Sequence, residues 1–390
     1  MYPRIHIFGY YLLVKTRVFN LKLSLYLVVV SKNTLHTAKI NKKDEFYTQL
    51  ADIERELKHY KEHFKNKVVY CNCDDPRSSN FFHYFSYNFE KLKLKKLISS
   101  CYKSKNFDLF SQNDSEEAIY LEYTGDKNQN FIPDDNEIGI KTFKGDGDFR
   151  SEESIKLLKE SDIVVTNPPF SLFREYVKQL IDFEKSFLII GSLNAINYKE
   201  IFKLFLENKI WLGNGFKSGN AFFKTPHAKE FAKGVYDPVT DLVKFRNVNW
   251  FTNLEIQKRN EELVLYKNYN EDEYVKYDNY DAININRLVD IPLDYNGIMG
   301  VPITFLNQYN PLQFEILGLS QKVGMGLEST RKYDEFFETR QDGSRTGSSG
   351  KKTNGNPVIK GKPKKGNYYV KGDEIVHSLY GRIFIKHRKS

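Results

Sequence analysis

Asn167-Pro168-Pro169-Phe170 follows directly on the apolar run Ile163-Val164-Val165-Thr166. The Asn side-chain carbonyl can accept a hydrogen bond from an exocyclic amine. Two prolines fix φ twice and remove two N–H donors, so the carbonyls around them are offered as acceptors. Phe170 presents a flat face on which a base can stack. Together these groups can hold one nucleobase taken out of its stack. With the Asn167 and Pro168 carbonyls accepting the two amine hydrogens, the nitrogen is drawn toward sp³ character and its lone pair is aimed at a methyl group. A proline turn closing a strand over a packed aromatic is the plainer alternative.

A methyl donor would need a place beside this amine. Asp74-Asp75-Pro76 ends an earlier apolar run, and Ser78-Ser79-Asn80 opens the helix after it. An acidic residue at a strand end can hold a ribose hydroxyl or an ammonium, and a helix N-terminus supplies free amides. The Gly-rich turn usual in such places is missing, and an Asx turn capping the helix is the alternative. Gly145-Asp146-Gly147-Asp148-Phe149 sets a carboxylate beside an aromatic ring, which suits an adenine amine and its ring; a simple Gly/Asp turn would look the same.

These residues need a scaffold. Leu50, Ile53, Leu57, Tyr60 and Phe64 recur at helical steps. Residues 67–73 read as a buried strand, 81–92 as a helix and 96–102 as a second strand. A hairpin is expected over 119–131 and a short helix over 152–160. After the strand at 163–166, Leu172, Phe173, Tyr176, Val177, Leu180 and Ile181 line one face of an amphipathic helix. Residues 187–190 form another apolar strand and 198–208 another helix. Buried strands alternating with helices predict an α/β fold with a doubly wound parallel sheet. The pattern decays after about residue 235. Residues 339–366, rich in Gly, Ser, Thr, Asn and Lys, read as a mobile loop. Residues 382–386 read as a last strand.

The 390 residues suggest a large and a smaller domain, and 40 % hydrophobic content suffices for a packed core. The net charge of +9 is concentrated: residues 340–390 hold 13 Lys and Arg against 3 Asp and Glu, leaving the rest near neutral. A basic tail of this kind is the footprint of a polyanion, most simply DNA, with a solvated tail as the alternative. Cys71, Cys73 and Cys101 are too few and wrongly spaced for a disulfide framework or a zinc site. They suggest a reducing compartment, and no apolar run is long enough to span a membrane. Residues 1–32 are apolar but broken by Arg4, Lys15, Arg17 and Lys22, and read as a non-core extension.

Four stretches in this order carry a family resemblance: residues 43–54 (KDEFYTQLADIE), 67–89 (KVVYCNCDDPRSSNFFHYFSYNF), 145–151 (GDGDFRS) and 163–177 (IVVTNPPFSLFREYV). They resemble the EcoRI-type adenine-specific DNA methyltransferases. The resemblance implies a Rossmann-like methyltransferase domain over 33–235, with a smaller DNA-recognition region over 236–390. It implies transfer of a methyl group from S-adenosylmethionine to the N6 amine of adenine in double-stranded DNA, in a bacterial cytoplasm. A restriction endonuclease acting on the same site is the implied companion. Carried over by position, Asn167, Pro168, Pro169 and Phe170 become the catalytic motif. Asp75 and Pro76 meet the methionine or ribose end of the cofactor, Asp148 and Phe149 its adenine, and Tyr47 and Thr48 line it from the N-terminal side. The second strand ends without the carboxylate many methyltransferases use for the ribose, so no ribose partner is assigned there. The chemistry is alignment and electrostatics and needs no metal. Methylation of RNA or a protein amide, or DNA binding without catalysis, are the rival readings.

Overall fold

The computed structural model describes residues 46–73, 79–101, 118–130, 133–134, 137–225, 228–232, 234–320 and 326–388. Residues 1–32, Asp75 and Pro76 lie outside the described residues.

Eight strands form one sheet: β1 (Val68–Asn72), β2 (Lys96–Ser100), β3 (Ile119–Tyr123), β4 (Ile138–Thr142), β5 (Ile163–Thr166), β6 (Ser186–Ser192), β7 (Trp211–Leu212) and β8 (Val248–Thr252). Their order is β4-β3-β2-β1-β5-β6-β8-β7. The pairs β2–β1, β1–β5 and β5–β6 are parallel. The remaining pairs are antiparallel. The sheet is thus mixed and not parallel as expected: it is parallel at its centre and antiparallel towards both edges, where a returning strand needs no crossover helix. It also runs past residue 235, because β8 lies between β6 and β7.

Successive strand residues point to opposite faces, and the core follows that period. Val69, Cys71, Leu97, Val165, Leu188 and Ile190 pack on one face, with helices α1 (Leu50–Leu57), α2 (Lys61–Phe64), α3 (Asn80–Tyr87) and α4 (Phe89–Leu92). Tyr70, Ile98, Val164, Phe187 and Ile189 pack on the other, with α5 (Glu152–Glu160), α6 (Phe173–Asp182) and α7 (Lys199–Leu206). Continuous apolar runs are therefore what a sheet covered on both faces requires. The helix starts obey local chemistry: Ser79 and Ser151 accept from the backbone N–H groups of Phe82 and Ser154. The first helical stretch is two short helices, and Leu50 at its start is exposed.

Two expectations are corrected. The partner of β3 is not within 119–131. Ile119 pairs with Thr142 and Tyr123 with Ile138, so the return arm begins at Ile138. Between them Glu137 holds Lys127 and Asn128, its Oε1 accepting from their N–H groups at 2.6 and 3.1 Å. The stretch 339–366 is not a structureless loop either. It contributes to a five-stranded sheet in the order Arg345–Ser349, Phe337–Thr339, Tyr368–Lys371, Glu374–Ser378, Val358–Lys360. Its glycines make the tight turns between short strands, with Gly343, Gly361 and Gly366 all at positive φ. Tyr333, Phe336, Val358, Tyr369 and Val376 give it a small core.

The final strand, Arg382–His387, pairs on both sides, with Met299–Pro302 and Phe314–Leu319. Ile383 and Ile385 join the same core as α7. Residues 382–387 are structural, and the described part of the basic segment, 340–388, is not a detached tail.

Candidate active site

The strand order reverses between β1 and β5, so their carboxyl ends border a crevice of the kind that binds ligands in open α/β sheets. Asn72 closes β1 and Thr166 closes β5. The Thr166 hydroxyl donates to the Asn72 backbone carbonyl, and the Tyr176 hydroxyl of α6 donates to Asn72 Oδ1. A buried tyrosine needs a partner for its polar tip, and Asn72 is that partner. Burial pushes the Tyr176 hydroxyl well above its ordinary pKa, which keeps it a donor. These bonds lash the two strand ends together one residue before Asn167.

Asn167 is buried. Its Nδ2 donates to the carbonyl of Phe46 at 2.5 Å, which sets the orientation of the amide. Its Oδ1 is buried and has no hydrogen-bond partner among the described residues. A buried acceptor left unpaired costs about 1 to 3 kcal/mol, so a fold keeps one where it has a use. Pro168 and Pro169 add no N–H that could fill it. The amide is thus a fixed, empty acceptor at the carboxyl edge of the sheet.

Phe46 is held by a small sheet. The strand Tyr47–Thr48 pairs antiparallel with Ala221–Lys224, which pairs with Leu242–Phe245. The Phe46 ring sits 4.9 Å from Phe245 and 5.7 Å from both Phe223 and Phe170. Phe170 lies at 30° to Phe46 and is half-buried. One side of it therefore packs on the cluster, and the ring keeps exposed surface for a second planar group. Thr48 is buried beside the start of α3, where Asn80 Nδ2 donates to its carbonyl at 2.7 Å. The Thr48 hydroxyl, like Asn167 Oδ1, has no partner among the described residues.

Residue-for-residue comparison decides what this edge belongs to. The family model for the adenine-specific methyltransferase EcoRI matches residues 34–388. The chain belongs to this family. It is accordingly an adenine-specific DNA methyltransferase. It is similar to the type II methyltransferase M.EcoRI of Escherichia coli, 54 % identical over 73 % of this chain and 88 % of that protein. It also resembles M.MgeORF184P of Mycoplasma genitalium, 41 % identical over 72 % of this chain and 84 % of that protein. M.MpnI of Mycoplasma pneumoniae is 40 % identical over 72 % of this chain and 83 % of that protein. No solved structure matches the chain.

In this methyltransferase, Asn167, Phe170, Tyr47 and Thr48 come together as one group. Asp148 and Phe149 reach it indirectly: the Phe149 ring meets Tyr176 edge-on at 5.1 Å, and Tyr176 leads through Asn72 to Thr166. The Asp148 carboxylate is engaged by Arg150, with Nε at 2.8 Å and Nη2 at 2.7 Å. The Asp148 bonds raise the Arg150 pKa further. Gly147 must be glycine at φ +72°, because a Cβ there would stand 2.4 Å from the carbonyl of Cys101. Asp75 and Pro76 lie outside the described residues. Among the described residues, no three His, Cys, Asp or Glu side chains gather as a metal site would require. No helix among them is long and apolar enough to cross a membrane.

Sequence reasoning missed Phe46, Asn72 and Tyr176. Phe46 acts through its carbonyl, which leaves no trace in residue type. Tyr176 reads as one more apolar face position. A hydroxyl-bearing ring in an otherwise apolar helix stripe is the available signal, since its hydroxyl must find a buried partner.

Proposed function

We propose that this chain transfers a methyl group from S-adenosylmethionine to the N6 amine of adenine at a fixed site in duplex DNA. The observation that carries this reading is the Asn167 amide, anchored through Nδ2 and open at a buried Oδ1. An acceptor fixed in advance costs no reorganisation when the amine arrives, and that is the form of help a transition state gains most from. Asn167 Oδ1 and the Pro168 carbonyl take the two amine hydrogens. Phe170 stacks on the flipped adenine, braced from behind by Phe46.

The cofactor supplies an electrophilic methyl group on a sulfonium. The residues present fit such a ligand: Thr48 offers a buried hydroxyl with no partner among the described residues, beside the first turn of α3. Tyr47, Thr48, Asp75 and Pro76 would hold its sugar and methionine end. Asp148 and Phe149 would take its adenine, with Arg150 yielding part of the carboxylate. The reversal at β1 and β5, with helices on both faces, supports a Rossmann-like methyltransferase sheet. We assign transfer to residues 33–235 together with β8, and target recognition to the β-rich part beyond. The type II names of the relatives support a companion endonuclease that cuts the same site unless it is methylated, in a bacterial cytoplasm.

The test is transfer of tritium from labelled S-adenosylmethionine to DNA, RNA and protein offered together. Label in DNA recovered as N6-methyladenine is expected; label in RNA or protein alone would overturn the reading. Within it, Phe170→Ala is expected to weaken target binding by about 1 to 3 kcal/mol, the value of one base–aromatic stack. Phe170→Trp keeps a π face and loses less. Equal behaviour of Ala and Trp in an equilibrium binding assay would remove stacking as the role of this ring.

A further inference from the structure

The five-stranded C-terminal sheet carries many cations, and most of those near its core are neutralised. Lys352 pairs with Glu338 at 2.5 Å, Lys371 with Glu335, and Arg331 with Asp278 at 2.8 Å and Glu374 at 2.7 Å. Five others differ. Arg340, Arg345, Lys362, Lys364 and Lys365 are exposed, and none has a carboxylate partner among the described residues. They stand on two turns far apart in sequence, residues 340–345 and 361–366.

Gln341 joins these turns. Its Nε2 donates to the carbonyl of Pro363 at 3.0 Å and to that of Gly366 at 2.7 Å. Lys362 Nζ returns a bond to the Gln341 carbonyl at 3.1 Å. The first turn is closed on itself, with Arg340 N–H on Ser344 O at 2.8 Å and Gly343 N–H on Arg340 O at 3.0 Å. Its one carboxylate, Asp342, is turned onto the N–H and hydroxyl of Ser344, at 2.9 and 2.7 Å. Arg345 lies over the Phe337 ring at 4.1 Å and Lys362 over Tyr368 at 4.9 Å, so aromatic surfaces brace both side chains.

Asp342 offsets part of this charge through Arg340, and the like charges that remain on the two turns repel one another. The arrangement gains only when an external polyanion arrives. We propose that the two turns tied by Gln341 form a basic ridge that grips the phosphate backbone of the duplex DNA substrate. The ridge holds phosphates and does not read bases. Gln341, whose amide suits an adenine edge, spends its Nε2 donor on two backbone carbonyls, and Arg345 and Lys362 are laid over aromatic rings of the sheet. This rests on the reading of DNA as the substrate.

The experiment measures duplex affinity of the full chain against salt concentration for Arg345→Gln/Lys364→Gln/Lys365→Gln. Loss of three phosphate contacts should flatten the slope of log K against log salt by about 2.7, and weaken binding on the order of tenfold or more at moderate salt. The loss should be equal for duplexes with and without the methylation site, with kcat at saturating DNA unchanged. Should the triple variant melt early, Lys364→Gln/Lys365→Gln leaves Arg345 on its ring and should lower the slope by about 1.8. Gln341→Ala removes no charge. It is expected to weaken binding about three- to tenfold with the slope kept, because the loops must be ordered on binding. A folded triple variant with an unchanged slope would overturn the ridge, as would a loss confined to one sequence. Unchanged affinity in Gln341→Ala would overturn the clamp. A wild-type chain that labels RNA or protein and no DNA would sink the underlying reading instead, so the two failures are distinct.

Discussion

Replacing Asn167 by alanine is expected to lower methyl transfer about a hundred- to a thousand-fold, the usual effect of deleting one transition-state hydrogen-bonding group. Binding of S-adenosylmethionine should change by no more than a few-fold. The buried Asn167 amide spends its Nδ2 on the Phe46 carbonyl and keeps Oδ1 open, so its acceptor belongs to the incoming amine. The substitution also strands the Phe46 carbonyl, which should cost about 1 to 3 kcal/mol of stability. Transfer is therefore measured with tritiated cofactor well below the variant's melting temperature, and cofactor binding by calorimetry. A folded variant that keeps more than a tenth of wild-type activity would remove Asn167 from the proposed role.

The second large effect is structural. Removing the last strand, from Arg382 onward, is expected to abolish cooperative folding. Ile383, Phe384 and Ile385 are fully buried, and the strand is hydrogen-bonded to a neighbour on each side. Truncating one such side chain to alanine costs about 2 to 5 kcal/mol. Losing three, with two rows of backbone bonds, would consume most of the roughly 5 to 15 kcal/mol by which a folded chain is stable. Loss of the far-ultraviolet circular dichroism transition, or insolubility, is the expected outcome. A truncated chain melting at the wild-type temperature would show that this strand is dispensable. Ile385→Ala is the milder version, with a loss of about 2 to 5 kcal/mol.

The burial of the last strand reverses the meaning of the C-terminal charge count. The cations from Arg340 onward suggested a separable arm because composition averages over a segment. Three-dimensional pairing divides them. Lys352 and Lys371 neutralise carboxylates of the sheet, whereas Lys364 and Lys365 remain on a turn. The turn-rich composition of 339–366 misled for a related reason. Gly343, Gly361 and Gly366 are needed at positive φ between strands too short to show a period of their own.

What the amino-acid sequence determined by itself is what depends on near neighbours. The central strands carry the continuous apolar runs 68–71, 163–165 and 187–190 because helices cover both faces of the sheet, and that burial is written in consecutive residues. The helix over Glu152–Glu160, and the face of Phe173, Tyr176, Val177 and Leu180, were legible in the same way. So was the tetrapeptide at Asn167, since its chemistry lies in residue type and adjacency. The tertiary structure alone decided which groups complete it. The Phe46 carbonyl meets Asn167 across 121 positions and Tyr176 meets Asn72 across 104. Local pattern carries no record of such contacts, because a backbone carbonyl is the same in every residue. The parallel order that brings β1 beside β5 is likewise a property of the whole sheet, set by which strands can bury their faces together.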